Sequence, residues 1–369
     1  MRLPENKATR VFARRLSAAA ALVFLPVAAL AQPAAFPSFS ISTGTPLLSR
    51  PVSTGAVVGQ GGNYCVPLPD GRALWLLNNI WMGEVKPGGE TEVWGIIDGA
   101  AALAPSTAPY AQAGALKHIS DENGWPLALL SGDLKEYTQV RKFWPRAGLC
   151  LPAGCHVFYS IMNNYGPGPY DYFRVGQGVA VSEKPAGPYL KARAGARYSL
   201  WNDIEPAFGS AVLADEDGWV YVYGRVITSP GAYAAQLARV KPAHLADRGK
   251  YRYYSGGAGA AAWTEDVAEA SDVLAGLPEE FSVSYNEHLK SYLAVYSDPE
   301  GGRALARLAP YPWGPWGEPA VLLACAGEDY CYGAKEQPGL AAGDGRKIFV
   351  TVERRNAPYL YELNFKLGD

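Results

Sequence analysis

Short runs dense in aromatic and β-branched residues alternate along the chain with tight clusters of Gly, Asp and Asn, and helical periodicity is scarce. Five of the apolar runs share one character: "ALWLLNN" from Ala73, "HVFYSIM" from His156, "WVYVYGR" from Trp219, "SYLAVYS" from Ser291 and "KIFVTVE" from Lys347. Each follows another run ("GGNYCVPL", "FWPRAGLCL", "EPAFGSAVL", "EFSVSYN" or "YGAKEQPGL") across a turn reading "PDGR", "PAGC", "DEDG", "EHLK" or "GDGR". Asp-Gly and Gly-rich turns between apolar runs signal hairpins. The pattern therefore predicts five hairpins, roughly 55–85 residues apart, the spacing of a four-stranded unit with uneven loops. "EVWGIIDG", "GQGVAVSE", "AAQLARV" and "RALARLA" supply outer strands, and two units end in the related phrases "KPAGPYLK" and "PWGPWGEP". A single such sheet cannot bury both faces, so five of them imply stacking about an axis. The expected fold is all-β, a five-bladed β-propeller of four-stranded antiparallel blades around a central channel. The near-continuous apolar second strands fit burial on both faces. A β-sandwich would leave the five similar hairpins unexplained.

The first thirty-one residues stand outside this pattern. Arg10, Arg14 and Arg15 precede an apolar, Ala-rich run, Ala18 to Leu30, and "AALAQ" carries a small-x-small cleavage pattern. Residues 1–31 read as a signal peptide, the run being short for a membrane span, and 32–369 as one propeller domain. The expected location is periplasmic or secreted, with no stable membrane insertion after cleavage.

Composition narrows the function. Net charge is −2 and only 18% of residues are charged, which gives no electrostatic footprint for nucleic acid. The chain is expected to act as a monomer without a cofactor; the carboxylates described below, not composition, lead to a polysaccharide or oligosaccharide as its expected partner. No Gly-rich phosphate loop, Gly-x-Ser-x-Gly elbow or His-Glu-x-x-His is present. Among five cysteines, "CLPAGC" and "CAGEDYC" form natural local pairs, Cys150 with Cys155 and Cys325 with Cys331. Cys65 is left as a buried thiol. The Cys spacings match no zinc pattern and the four His are scattered, so no metal site is expected.

In a propeller the leading ends of the inner strands converge on one mouth of the channel. Three blades offer carboxylates there: Asp203 and Glu205 in "NDIEPAF", Glu280 in "PEEF" and Glu336 in "GAKEQPG". Glycoside hydrolysis needs two carboxyl groups about the scissile bond, one protonated and one not. Glu280 is expected as general acid, Glu205 or Glu336 as its partner, and Asp203 as a group that raises a neighbour's pKa. Asn63, Tyr64, Asn78, Trp144, Arg146 and Gln337 are expected to contact sugar, Arg146 also holding a carboxylate ionised. The alternative is that these carboxylates cap strand ends or pair with Arg146, Lys335 or Arg225. The Tyr- and Gly-rich loop "NNYGPGPYDYF" offers stacking platforms.

The phrases "VPLPDGRALWLLNNIW", "FGSAVLADEDGWVYVYG", "LARVKPAHLADRGKYRYYSG", "EFSVSYNEHLKSYLAVYS", "GPWGEP" and "YGAKEQPGLAAGDGRKIFVTV" occur in order. The set resembles a bacterial propeller family long catalogued as a domain of unknown function, which includes endo-D-arabinanases of mycobacterial cell-wall arabinan. "DIEPAF" before "DEDGWVYVYG" is also similar to the third blade of arabinanase and xylosidase propellers, which implies an acid role for Glu205. The resemblance also implies acids in blade one, where this chain has Gly62-Asn63 and Asn78-Asn79, and a His where it has Gln337. An amide hydrogen-bonds but cannot act as a general base.

Overall fold

The structure is a computed structural model that describes residues 31–48, 56–105, 116–133, 136, 140–166, 171–257, 259–278, 280–298, 300, 302–325 and 330–366. Apart from Ala31, the expected signal peptide lies outside these residues. Among them the chain forms five antiparallel sheets and only short 3₁₀ turns. The predicted hairpins are the first two strands of each sheet. They are Ala56–Pro67 with Arg72–Val85, Arg141–Leu151 with Gly154–Asn164, Ala207–Ala214 with Val220–Ser229, Phe281–Asn286 with Ser291–Ser297, and Tyr332–Glu336 with Lys347–Arg354. The third strands are Thr91–Pro105, Tyr172–Ser182, Ala232–Val240, Arg303–Ala309 and Ala357–Phe365. These sheets are blades I to V of a five-bladed propeller.

The second strands lack polar alternation because both their faces are covered. In blade I, Leu74 and Leu76 pack toward Val157 and Tyr159 of blade II, while Trp75 and Leu77 pack toward Leu340 and Leu360 of blade V. In blade III, Val220 and Val222 face Phe158 of blade II, and Tyr221 and Tyr223 face Ala294 and Tyr296 of blade IV. Leu293 and Val295 complete the set against Val350 and Val352. Five cores for five blade interfaces make a closed ring, held by burial of large apolar side chains at about 1.5–3 kcal/mol each.

Blade V is completed from the far end of the chain. Phe39–Ile41 pairs antiparallel with Ala357–Phe365, Phe39 opposite Phe365 and Ile41 opposite Leu363, and Thr45–Pro46 adds to the same strand. This strand was not among the predicted ones. Blade III carries further short strands, Arg252–Tyr254, Trp263–Thr264 and Asp272–Ala275. Disulfides join Cys150 to Cys155 and Cys325 to Cys331, and Cys65 is a free, buried thiol. Among the described residues no helix is long and apolar enough to cross a membrane.

Candidate functional site

Four of the five inner strands break their pairing register with a bulge, the exception being blade IV. A bulge bends its strand and re-aims the side chains beside it. In blade I the break contains Gly62 and Asn63, both at positive φ, a region that Gly and Asn tolerate. In blade V it contains Gly333, at φ 58°. A Cβ on Gly333 would sit 3.1 Å from Lys335 Nζ, 3.2 Å from Glu280 Oε2 and 3.3 Å from Glu353 Oε1. Three charged groups from blades IV and V thus crowd one glycine. The two carboxyl oxygens lie no farther apart than those two radii together, roughly 6.5 Å, which suits a two-carboxylate site.

The environments of the two acids are unlike. Glu280, just ahead of the inner strand of blade IV, accepts from Arg146 Nη1 at 2.8 Å and from Lys335 Nζ at 2.6 Å. Arg146 also donates to Ser160 Oγ at 3.0 Å, and Lys335 to the Gly333 carbonyl at 2.7 Å. All three charged side chains are at most 3% exposed. Both oxygens of Glu280 are thus met by cations, in the strong, short geometry of charge-assisted bonds. Glu353, near the end of the second strand of blade V, receives one bond from Asn63 Nδ2 at 2.8 Å. Asn63 is oriented in turn by Gln60 Nε2 on its Oδ1, at 2.7 Å. Burial pushes the Glu353 carboxyl up from 4.5 to about 8, and the neighbouring Glu280 charge adds to this against the opposing pull of Lys335.

Both acids line a cavity of about 640 Å³ at the leading mouth, with Trp81, Trp144, Tyr172, Tyr330 and Tyr332 among its walls. Trp144 meets Tyr172 edge-on, ring centroids 4.5 Å apart, and Arg146 lies 5.8 Å from the centre of the Trp144 ring. Asn78 also lines the cavity. It is 5% exposed and its Nδ2 has no hydrogen-bond partner among the described residues; Trp81 Nε1 is likewise without one. These are buried donors, in residues that line the cavity, with no partner of their own.

Of the residues singled out in the sequence, Glu280, Asn78, Trp144 and Arg146 meet at this mouth, with Asn63 behind Glu353. The others do not join them. Glu205 forms a two-point ion pair with Arg248, 2.5 Å from Nη2 and 3.1 Å from Nη1, and accepts from the Asn202 amide at 2.7 Å. With Asp203 it lines a separate cavity of about 520 Å³. Glu336 was expected at a leading end, but the inner strand of blade V begins at Tyr332, so Glu336 is its last residue. It lines the lower channel, a cavity of about 410 Å³ walled by residues of all five inner strands. There it accepts from Ser284 Oγ, and burial pushes it up to about 7. Tyr64 lines that lower cavity too, with Lys335 Nζ 4.7 Å from its ring centre. Gln337 is a latch rather than a free amide. Its Oε1 accepts from the Cys65 amide, and its Nε2 donates to the Asn63 carbonyl and Thr351 Oγ1.

Glu353 and Lys335 were missed by sequence reasoning. Glu353 stands in "TVERR", where a charged run at a strand end reads as solvated, and Lys335 was seen only as an ion-pair partner. The usable signal was position: both lie one hairpin away from Glu280's mouth. Among the described residues no three His, Cys, Asp or Glu side chains are grouped to hold a metal ion.

Fold and site together define a five-bladed propeller with two carboxyl groups of unlike environment at one mouth of its channel. The chain belongs to the family described as domain of unknown function DUF4185, which it matches over residues 143–362. No curated protein matches it. Among solved structures it is similar to a candidate hydrolase from Bacteroides ovatus ATCC 8483, at 17% identity over 86% of this chain and 87% of that one, TM-score 0.62. It is also similar to the GH43_1 enzyme from Xanthomonas citri complexed with xylotriose, at 14% identity over 87% and 89%, TM-score 0.51. A protein of unknown function from Dyadobacter fermentans DSM 18053 aligns at 10% identity over 90% and 100%, TM-score 0.52. At these identities the likeness is one of fold.

Proposed function

We propose that this chain is an exported, glycoside hydrolase-like propeller that cleaves a polysaccharide such as an arabinan through Glu353 and Glu280. The observation that carries this reading is the pair itself: two carboxyl groups with oxygens within roughly 6.5 Å, at one cavity, one bonded to two cations and the other to an amide. Glu353, protonated at neutral pH by its burial, gives its proton to the leaving glycosidic oxygen. Glu280, faced by Arg146 and Lys335, is the carboxylate that meets the positive charge developing on the sugar. Glu280 thereby takes the charged role instead of the acid role read from sequence, and Glu353 replaces Glu205 and Glu336 as its partner. Asn63 keeps Glu353 aimed. Trp81, Trp144 and Tyr172 present faces or edges to the sugar rings, and Asn78 Nδ2 donates to a hydroxyl. Arabinan is favoured by the ordered phrases that resemble those of a propeller family with arabinanase members. Export is favoured by the leader-like residues 1–31 and the two disulfides.

Two observations favour a binding-only reading. Both oxygens of Glu280 are committed to cations, and blade I has Asn63 where the resemblance implies an acid. A single experiment separates the two. The wild type, Glu353→Gln and Glu280→Gln are incubated with arabinan, xylan and galactan, and released reducing ends and polymer binding are both measured. Release by the wild type that either variant abolishes supports the enzyme. Binding without release, unchanged in Glu280→Gln, supports the glycan-binding propeller.

A further inference from the structure

The cavity that holds Asp203 and Glu205 is a built site with no part in the chemistry above. Its volume is about 520 Å³, and Tyr172 lines both it and the central cavity. The two hollows therefore flank Tyr172, whose ring Trp144 meets edge-on. The loop on its blade III side is rigid. Asn202 Oδ1 accepts from the amides of Ile204 and Glu205, Glu205 returns a bond to the Asn202 amide, and Arg248 clamps Glu205. Arg174 fastens the same loop from blade II through the carbonyls of Asn202, Asp203 and Glu205. This stiff loop displays Ile204 at 86% exposure, and Ile227 and Phe173 face the same cavity at 62% and 48%. The Asp203 carboxylate makes no hydrogen bond among the described residues. Arg225 makes none there either, its guanidinium lying 4.8 Å from the Tyr233 ring centre.

A hollow with apolar walls, the Asp203 carboxylate and the Arg225 guanidinium, beside the loop-bound Arg174, has the chemistry of a sugar subsite. Its place beside the central cavity, across Tyr172, names its occupant. We infer that this cavity is a distal subsite for further residues of the same glycan chain, so that the protein engages oligosaccharides that run from Glu280 past Tyr172 and over Ile204. The inference rests on the carbohydrate reading of the central pocket and adds to it a requirement for chain length. Sugar rings pack on Phe173 and Ile204, with hydroxyls donating to Asp203 and accepting from Arg225.

The test is a length series. Arabino-, xylo- and galacto-oligosaccharides of two to eight units are titrated by calorimetry into a Glu280→Gln background, with and without Ile204→Ser and Arg225→Ala. The expected result is an affinity step of about tenfold or more once the oligomer spans both hollows. The two added substitutions remove that step and leave the shortest bound oligomers unaffected. Affinity that does not change with length, or a step that survives both substitutions, overturns the distal subsite alone. No binding by any oligomer in either background, when the wild type also releases nothing, overturns the carbohydrate reading and this inference with it.

Discussion

Replacing Glu353 by Gln tests the electrostatics of the site without activity as a readout. Gln keeps an oxygen that can accept from Asn63 Nδ2 but has no charged form. The Glu353 carboxyl is pushed from 4.5 to about 8 in the folded protein. Its folded pKa is raised, so the folded state binds the proton more tightly than the unfolded chain. The stability this contributes is fully present below about pH 4.5 and is lost as pH rises through about 8. At about 1.4 kcal/mol per pKa unit, the loss is on the order of 5 kcal/mol. Urea unfolding midpoints are measured for wild type and Glu353→Gln at several pH values from about 5 to about 9, using the difference between the two so that Glu336, which shifts in the same direction, cancels. Near pH 5 the two proteins should differ little. Near pH 9 the variant should be more stable by a few kcal/mol. A difference that stays constant across the range, or shrinks toward high pH, would show that Glu353 is not held neutral by burial, and the acid role would go with it.

Three further outcomes follow from the same geometry. Glu353→Gln and Glu280→Gln should each lower kcat on a cleaved glycan by about 10²–10⁴-fold, and the wild-type pH profile should fall above about 8 as Glu353 loses its proton; a profile flat through that range contradicts the assignment. Lys335→Met leaves Glu280 buried with one cation and should cost about 3–5 kcal/mol in urea unfolding, whereas an unchanged midpoint would mean that the pair is not buried as described. Gln337→Ala strands the Cys65 amide and the Asn63 carbonyl, at about 1–3 kcal/mol each, and should lower the thermal midpoint while glycan binding in the central cavity changes little.

The repeating architecture was legible because each blade repeats a local signal. A Gly- or Asp-bearing turn between two apolar runs is decided by residues adjacent in sequence, and all five hairpins formed where those signals stood. The short disulfide loops were legible for the same reason. Half of the site was legible too: Glu280, Trp144 and Arg146 sit at or near leading ends of inner strands, where blade geometry sends polar groups to one mouth. The other half depended on irregularity. The bulge around Gly333 re-aims Lys335, and no propensity announces it. Glu205 was drawn away by Arg248, which lies 43 residues later and returns only because of the intervening strands of blade III. Glu353 looked like a solvated charge because its cover comes from Asn63, 290 residues earlier.

The shared last blade has a consequence for the order in which the molecule can form. Ser42 meets Glu362 across 320 residues of chain, so the final sheet has no complete edge until the last strand has been made. Closing a flexible loop of that length costs about 5 kcal/mol in chain entropy, a cost that grows only slowly with length. Blades II to IV each contain their strands locally and can assemble as an open arc before then. The ring therefore shuts late, and the cavity at its centre, whose acids come from blades IV and V and whose Arg146 comes from blade II, has no working geometry until blade V has joined the others.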